Sequence, residues 1–139
     1  MPQSVLAIDA EAVDKAFGRT RAVDGATLRV GHGELVALLG PSGSGKTTLL
    51  RVLAGFERPD AGRVAIGGRP VAGKGAWVEP EHRRIGMVFQ EGALFPHLTV
   101  NANVGFGASR RERVAECLEL VGLSARAGAF PHELSGGER

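Results

Sequence analysis

Apolar residues fall into short runs separated by glycine and polar clusters, and their spacing predicts an alternation of strands and helices. Val5 to Ile8 is an apolar run suited to a strand, and Ala26 to Val30 is another. Glu34 to Leu39, bounded by Gly33 and Gly40, does not alternate, which predicts a strand buried on both faces of a parallel or mixed sheet. Lys46 to Ala54 reads as a helix packed through Leu49, Leu50 and Leu53, stopped by Gly55 and kept from returning by Pro59. Arg63 to Ile66, Gly67-Gly68 and Arg69 to Val71 predict a tight hairpin, because paired glycines supply the positive φ of the turn. Ile85 to Phe89 is a further buried strand. Thr99 can cap a short helix running to about Phe106, and Arg110 to Val121 is a longer one ended by Gly122. The order is a β-rich start followed by strand-loop-helix units, an α/β nucleotide-binding layout.

The candidate chemistry lies between the third run and the first helix. Gly40-Pro41-Ser42-Gly43-Ser44-Gly45-Lys46-Thr47 matches G-x-x-x-x-G-K-[ST] at every fixed position. Glycines let a backbone wrap around phosphates with its N–H groups pointing inward. The following helix offers unpaired N–H groups and a positive dipole end to the same anion. Lys46 places an ammonium between β- and γ-phosphates, Thr47 is the expected Mg²⁺ ligand, and Thr48 can add a hydroxyl near the α-phosphate. A glycine-rich turn that merely joins strand to helix is the plain alternative. The predicted buried strand before the loop and amphipathic helix after it favour phosphate binding, with ATP and Mg²⁺ the expected pair.

Composition narrows this reading. At 139 residues, 43% hydrophobic and 23% charged, the chain is the size of one folded domain. A net charge of +2 and scattered arginines, densest at Arg110, Arg111 and Arg113 without interleaved aromatics, exclude a nucleic-acid groove. No apolar run approaches the roughly 20 residues needed to cross a bilayer. Met1-Pro2-Gln3-Ser4 lacks the features of a secretion signal, so a cytoplasmic protein is expected. The one cysteine, Cys117, excludes an internal disulfide; with Val114, Leu118 and Val121 at helical spacing it is expected to be buried.

Four further segments decide the class. Phe17-Gly18 precedes the loop, Gly86-Met87-Val88-Phe89-Gln90 follows it, and Leu94-Phe95-Pro96-His97-Leu98-Thr99-Val100 comes next. Leu134-Ser135-Gly136-Gly137-Glu138 stands near the end of the chain. In this order and at these separations they resemble the ATP-binding subunit of an ABC transporter, over essentially all of residues 1–139. The resemblance implies a P-loop NTPase of the ABC type with a β-rich N-terminal part. It implies that Phe17 stacks on adenine, with a plain core aromatic as the alternative. Gln90 would be a Mg²⁺ and water ligand, and Lys46 with Gln90 would serve the reaction. Apolar Ala93 to Pro96 would dock on the membrane subunit or pack on its own domain. Leu134, Ser135, Gly136, Gly137 and Glu138 would complete the ATP site of a second subunit in a head-to-tail homodimer. A transmembrane permease is the other implied partner, which would hold the protein on the inner face of the membrane. The stretch from Ala72 to Val100 is similar to importers of ferric iron, polyamines, sulfate or thiamine, with ferric iron the first expectation.

The sequence also departs from that family. Only Arg139 follows Glu138, whereas a hydrolysing subunit continues with an apolar strand ending in Asp-Glu, a short loop and a histidine at the γ-phosphate. His97 and His132 belong to other motifs and do not replace it. The expectation is therefore of a subunit incomplete at its C-terminus, with the signature helix too short to form a stable turn or present a useful dipole. Strands that should flank Glu34–Leu39 are missing, which predicts exposed apolar surface there. A non-hydrolysing ATP-binding module or nonfunctional remnant is the competing reading. A small kinase or GTPase is excluded, since neither a lid arginine cluster nor Asn-Lys-x-Asp occurs.

Overall fold

Strand β1 (Ile8–Phe17) lies between β2 (Thr20–Val30) on one side and β3 (Ala61–Ile66) on the other. The structure is a computed structural model that describes residues 5–90, 93–107 and 111–138. The chain divides into two compact units, Met1–Met87 and Val88–Arg139, and each is treated by itself. The opening Met1 to Ser4 and the expected helix start at Arg110 lie outside the described residues.

In the first unit, β4 (Arg69–Gly73) and the two-residue β5 (Ala76–Trp77) complete a sheet of order β2-β1-β3-β4-β5. All its pairings are antiparallel. The expected strand at Val5 to Ile8 begins only at Ile8 and then runs on for nine further residues. A bulge at Ala12, whose φ is 47°, explains why this was not legible. Ala10 faces the core, and strict alternation would bring Ala12 there next; the extra residue hands the position to Val13, which is fully buried. Thr27 Oγ1 accepts the Ala12 N–H at 3.0 Å, so the bulge leaves no orphan donor. On the same strand, Asp9 pairs with Arg29 and Arg63, and Glu11 pairs with Arg63. The β3–β4 hairpin turns at Gly67-Gly68 with φ of 54° and 77°, as its sequence predicts.

Helix α1 (Lys46–Ala54) has the predicted limits, with Gly55 left-handed at its end. Its packed face differs from the expected one. Leu49, Val52 and Leu53 are buried against Ala10, Val13, Val23, Val64 and Val71, while Leu50 is 45% exposed. The 100° step of the helix places Val52, not Leu50, beside Leu49 and Leu53.

Residues 34–39 form no strand, contrary to expectation, and Leu35 and Leu39 are 97% and 91% exposed. Leu38 alone packs against the core. Residues 85–89 likewise form no strand, and Val88 is 97% exposed. A two-faced strand requires neighbours on both edges and a layer on each face, and no described strand pairs with either segment. Apolar surface is exposed along residues 34–39, as expected.

The second unit is helical. Thr99 Oγ1 accepts the Ala102 N–H at 3.3 Å and caps α2 (Val100–Gly105), as predicted. Helix α3 (Arg111–Leu120) follows, with Gly122 left-handed beyond it. Val100, Val114, Leu118 and Leu134 form the core of this unit. Cys117 is only half-buried and Val121 is 62% exposed, so the expected burial of that face stops at Leu118. Among the described residues no helix is long and apolar enough to cross a membrane.

The burial difference along α1 sets a stability test. Leu53→Ala should lower the unfolding free energy by about 2–5 kcal/mol, as for other buried leucines. Leu50→Ala, at a 45% exposed position, should stay within about 1 kcal/mol of the parent. Denaturant unfolding of the two variants checks this, and equal losses would contradict the packing described.

Candidate nucleotide site

The glycine loop leaves the segment after β2, passes beneath the start of β2 and enters α1. Gly45 is the closest approach. With φ of 89°, it lies so near the Ala22 carbonyl that an added Cβ would overlap that oxygen. Only glycine tolerates both the left-handed backbone and the contact. Gly45 is also the residue preceding α1, and no side chain caps the helix there. The first-turn N–H groups of α1 are therefore left to a ligand or to solvent.

Lys46 turns back over the loop. Its ammonium donates to Gly40 O at 2.8 Å, Pro41 O at 2.6 Å and Ser44 Oγ at 3.1 Å. That is its full complement of three donors. Ser44 N also donates to Pro41 O at 3.3 Å, so the loop is closed by its own carbonyls. Ser42, Gly43 and Thr47 are exposed and Thr48 is half-buried. A cavity of about 560 Å³ opens over the loop, walled by Arg21 to Asp24 of β2 and by Leu38 and Leu39. Arg21 and Asp24, joined by an ion pair of 2.7 Å, were not foreseen as part of the wall. Their motif-free segment carries no local signal; the fold of β2 over the loop puts them there.

Phe17 is 48% exposed at the end of β1, with the Lys15 ammonium 5.3 Å from its ring centre. It is not one of the residues walling the cavity. The structure therefore leaves its ring accessible and does not join it to the loop.

Gln90 and the signature residues belong to the second unit. Gln90 is exposed in a bend. Leu134 is buried in that unit's core, while Ser135, Gly136 and Gly137 are exposed. Residues 135–138 make a single turn and no helix, whereas the segment was expected to be too short for a stable turn. Glu138 closes it: Oε2 accepts the Ser135 N–H at 2.8 Å, and Glu138 N donates to Ser135 O at 3.1 Å. Hydrogen bonds from the Ser135 side chain, then from its backbone, hold the Glu138 carboxyl below the usual range, with Arg126 adding to the effect.

Asn103 was also missed by sequence reading. Its amide donates to the carbonyls of Phe95, Leu98 and Thr99 and accepts the Phe95 N–H at 2.8 Å. This clips the apolar loop Leu94–Leu98 to α2 and sets Phe95 against Phe106, with ring centres 4.4 Å apart. Leu94 and Phe95 remain partly exposed, and Phe106 is 69% exposed. Among the described residues no group of His, Cys, Asp and Glu could hold a metal ion by itself.

A closed G-x-x-x-x-G-K-T loop running into a helix packed on a sheet marks the phosphate-loop NTPase class. The family model described as ABC transporter matches residues 23–139. The chain belongs to the ABC transporter ATP-binding family. It is 51% identical over 138 residues to "Fe(3+) ions import ATP-binding protein FbpC 1" of Rhodococcus jostii, covering 96% of this chain and 40% of that protein. It is 46% identical to the "Probable sulfate/thiosulfate import ATP-binding protein CysA" of Chlorella vulgaris, over 93% of this chain and 56% of that one. Among solved structures, the dimeric bacterial ABC transporter cassette MJ0796 superposes with a TM-score of 0.80 at 33% identity, over 94% of this chain and 64% of that chain. The ADP conformation of the cassette MJ1267 gives 0.74 at 29%, over 96% and 60%. The chain thus spans about 40% of the length of the first of these curated relatives.

The depressed Glu138 carboxyl has a pH consequence. A carboxyl held lower in the folded chain than in the unfolded one stabilises the turn above the ordinary carboxylate range and loses that effect as pH falls through its folded value. The Ser135 amide resonance should shift with a midpoint below that of an unperturbed glutamate, and Glu138→Gln should abolish the titration. A midpoint at or above the ordinary value would contradict the turn described.

Proposed function

We propose that this chain is the nucleotide-binding portion of an ABC importer subunit, and that Gly40 to Thr48 holds the phosphates of ATP. The observation that carries this reading is the Lys46 ammonium, which spends all three donors on its own loop. A phosphate entering the cavity would exchange those neutral carbonyls for charged oxygens, a stronger partner for an ammonium. The uncapped first turn of α1 would meet the same anion through Gly45, Lys46, Thr47 and Thr48 N–H groups.

Thr47 would hold Mg²⁺ through its exposed hydroxyl at the start of α1, a hard oxygen donor of the kind that cation takes. The cation would neutralise charge between the β- and γ-phosphates. Phe17 would stack on the adenine through its exposed ring.

The remaining surfaces suit a shared assembly. Ser135, Gly136 and Gly137, exposed on a turn held by Glu138, would reach the γ-phosphate of a second, head-to-tail copy. The Leu94–Phe95 loop with Phe106, kept rigid by Asn103, would dock on a permease at the inner face of the membrane. ATP-driven closure of the dimer would then couple hydrolysis to uptake of a small solute. Ferric iron is the leading candidate, on the likeness to Fe(3+) ion importers.

The test is nucleotide binding by the parent and by Lys46→Ala. The variant should bind ATP about 10- to 100-fold more weakly, the loss expected from hydrogen bonds to a charged group. Equal affinities in a titration with a fluorescent ATP analogue would refute the reading.

A further inference from the structure

Arg83 is the one polar or charged side chain fully buried among the described residues, at 3% exposure. Among the described residues it makes no hydrogen bond to a carboxylate. Its guanidinium donates only to backbone carbonyls: Val52 at 2.8 Å and Leu53 at 3.0 Å in the last turn of α1, Val71 of β4 at 3.2 Å, and Val78 at 2.7 Å. The Trp77 ring lies 4.7 Å away, and Trp77 itself donates to Glu79 at 2.8 Å. Gly55 makes room: a Cβ there would sit 2.6 Å from Arg83 Nε. Burying a cation is costly unless every donor is satisfied. An apolar residue would fill the space without that penalty, so the guanidinium must supply something else. What it supplies is a fork joining the carboxyl end of α1 to the sheet and to the segment after β5.

We propose that Arg83 is a positioning residue for the phosphate loop, fixing from its carboxyl end the helix whose amino end receives the phosphates. The proposal rests on the nucleotide-binding reading above. Helix α1 has nine residues, a length at which a helix is marginal without tertiary support. Its amino end has no capping side chain and no acidic residue in the first turn, so nothing local anchors it there. Its orientation is set by Leu49, Val52 and Leu53 on the core and by the Arg83 fork at the far end. Three buried apolar contacts resist sliding weakly; directional bonds to two terminal carbonyls fix both rotation and height. The positive charge also complements the negative end of the helix dipole. Loosening that end would let α1 tilt and move the loop N–H groups off the phosphate oxygens.

Arg83→Lys keeps the charge but cannot reproduce the fork. Amide exchange in the nucleotide-free protein, well below its unfolding temperature, should accelerate at Leu49, whose N–H donates to Gly45 O at 2.8 Å, as well as at Gly55. ATP and ADP affinities should fall together by about 3- to 30-fold, the range seen when a coupled but non-contacting residue changes. Acceleration confined to Gly55 and Phe56, with both affinities unchanged, would reduce Arg83 to a stability role and overturn the proposal. The parent provides a second measurement should the variant fail to fold. Saturating ADP should slow exchange at Gly55 as well as at Ser44 to Leu49, and protection of the loop alone would overturn it. Lys46→Ala separates the two claims: binding unaffected by that change refutes the nucleotide reading, whereas the nucleotide-free exchange comparison judges Arg83 independently.

Discussion

The packing of α1 on the antiparallel sheet is the contact on which the rest of the first unit depends. Val52 and Leu53 meet Ala10, Val13 and Val64 across it, and all are buried. It sets where the amino end of the helix points, and therefore where the phosphate loop stands. The bulge at Ala12 serves the same contact, because it brings Val13 rather than Ala12 beneath the helix. Gly45 completes the arrangement by letting the loop pass against the Ala22 carbonyl. A loop of small residues has little structure of its own. Here it takes its form from the helix behind it, the strand over it and the Lys46 ammonium folded into it.

The two apolar segments without strand structure show the opposite case. Leu35, Leu39 and Val88 are among the most exposed large apolar residues described. Their sequences are as strand-like as any in the chain, yet β propensity expresses a fit to neighbours more than a backbone preference. Residues 61–66 and 69–73 pair locally through a tight hairpin, and residues 61–66 pair with β1 as well. Residues 34–39 and 85–89 have no such local partner.

Local hydrogen bonding also shapes the second unit. Thr99 caps α2, Asn103 gathers the loop before it, and Glu138 closes the signature turn through Ser135. Each joins residues no more than eight positions apart. They leave Phe95, Phe106, Ser135 and the paired glycines at the surface of this unit. Arg83 differs: its acceptors come from α1, β4 and the segment after β5, up to 31 residues away.

Much of the local geometry of the candidate site was legible from residue order because its determinants are local. The motif Gly40 to Thr47, the limits of α1, the Gly67-Gly68 turn, the Thr99 cap and the glycine stops all follow from propensity and turn chemistry over a few residues. Family membership was legible for the same reason, through Gln90 and Leu134 to Glu138 standing in order after the loop. Tertiary structure alone decided the rest. The length of β1 depended on a bulge held by Thr27 from the neighbouring strand. The choice of Val52 over Leu50 as a core residue depended on which side of α1 the sheet occupies. Arg21 and Asp24 reached the cavity wall, and Arg83 reached the end of α1, through contacts between elements distant in sequence. Local periodicity encodes what a segment can become; long-range hydrogen bonding and packing select what it faces.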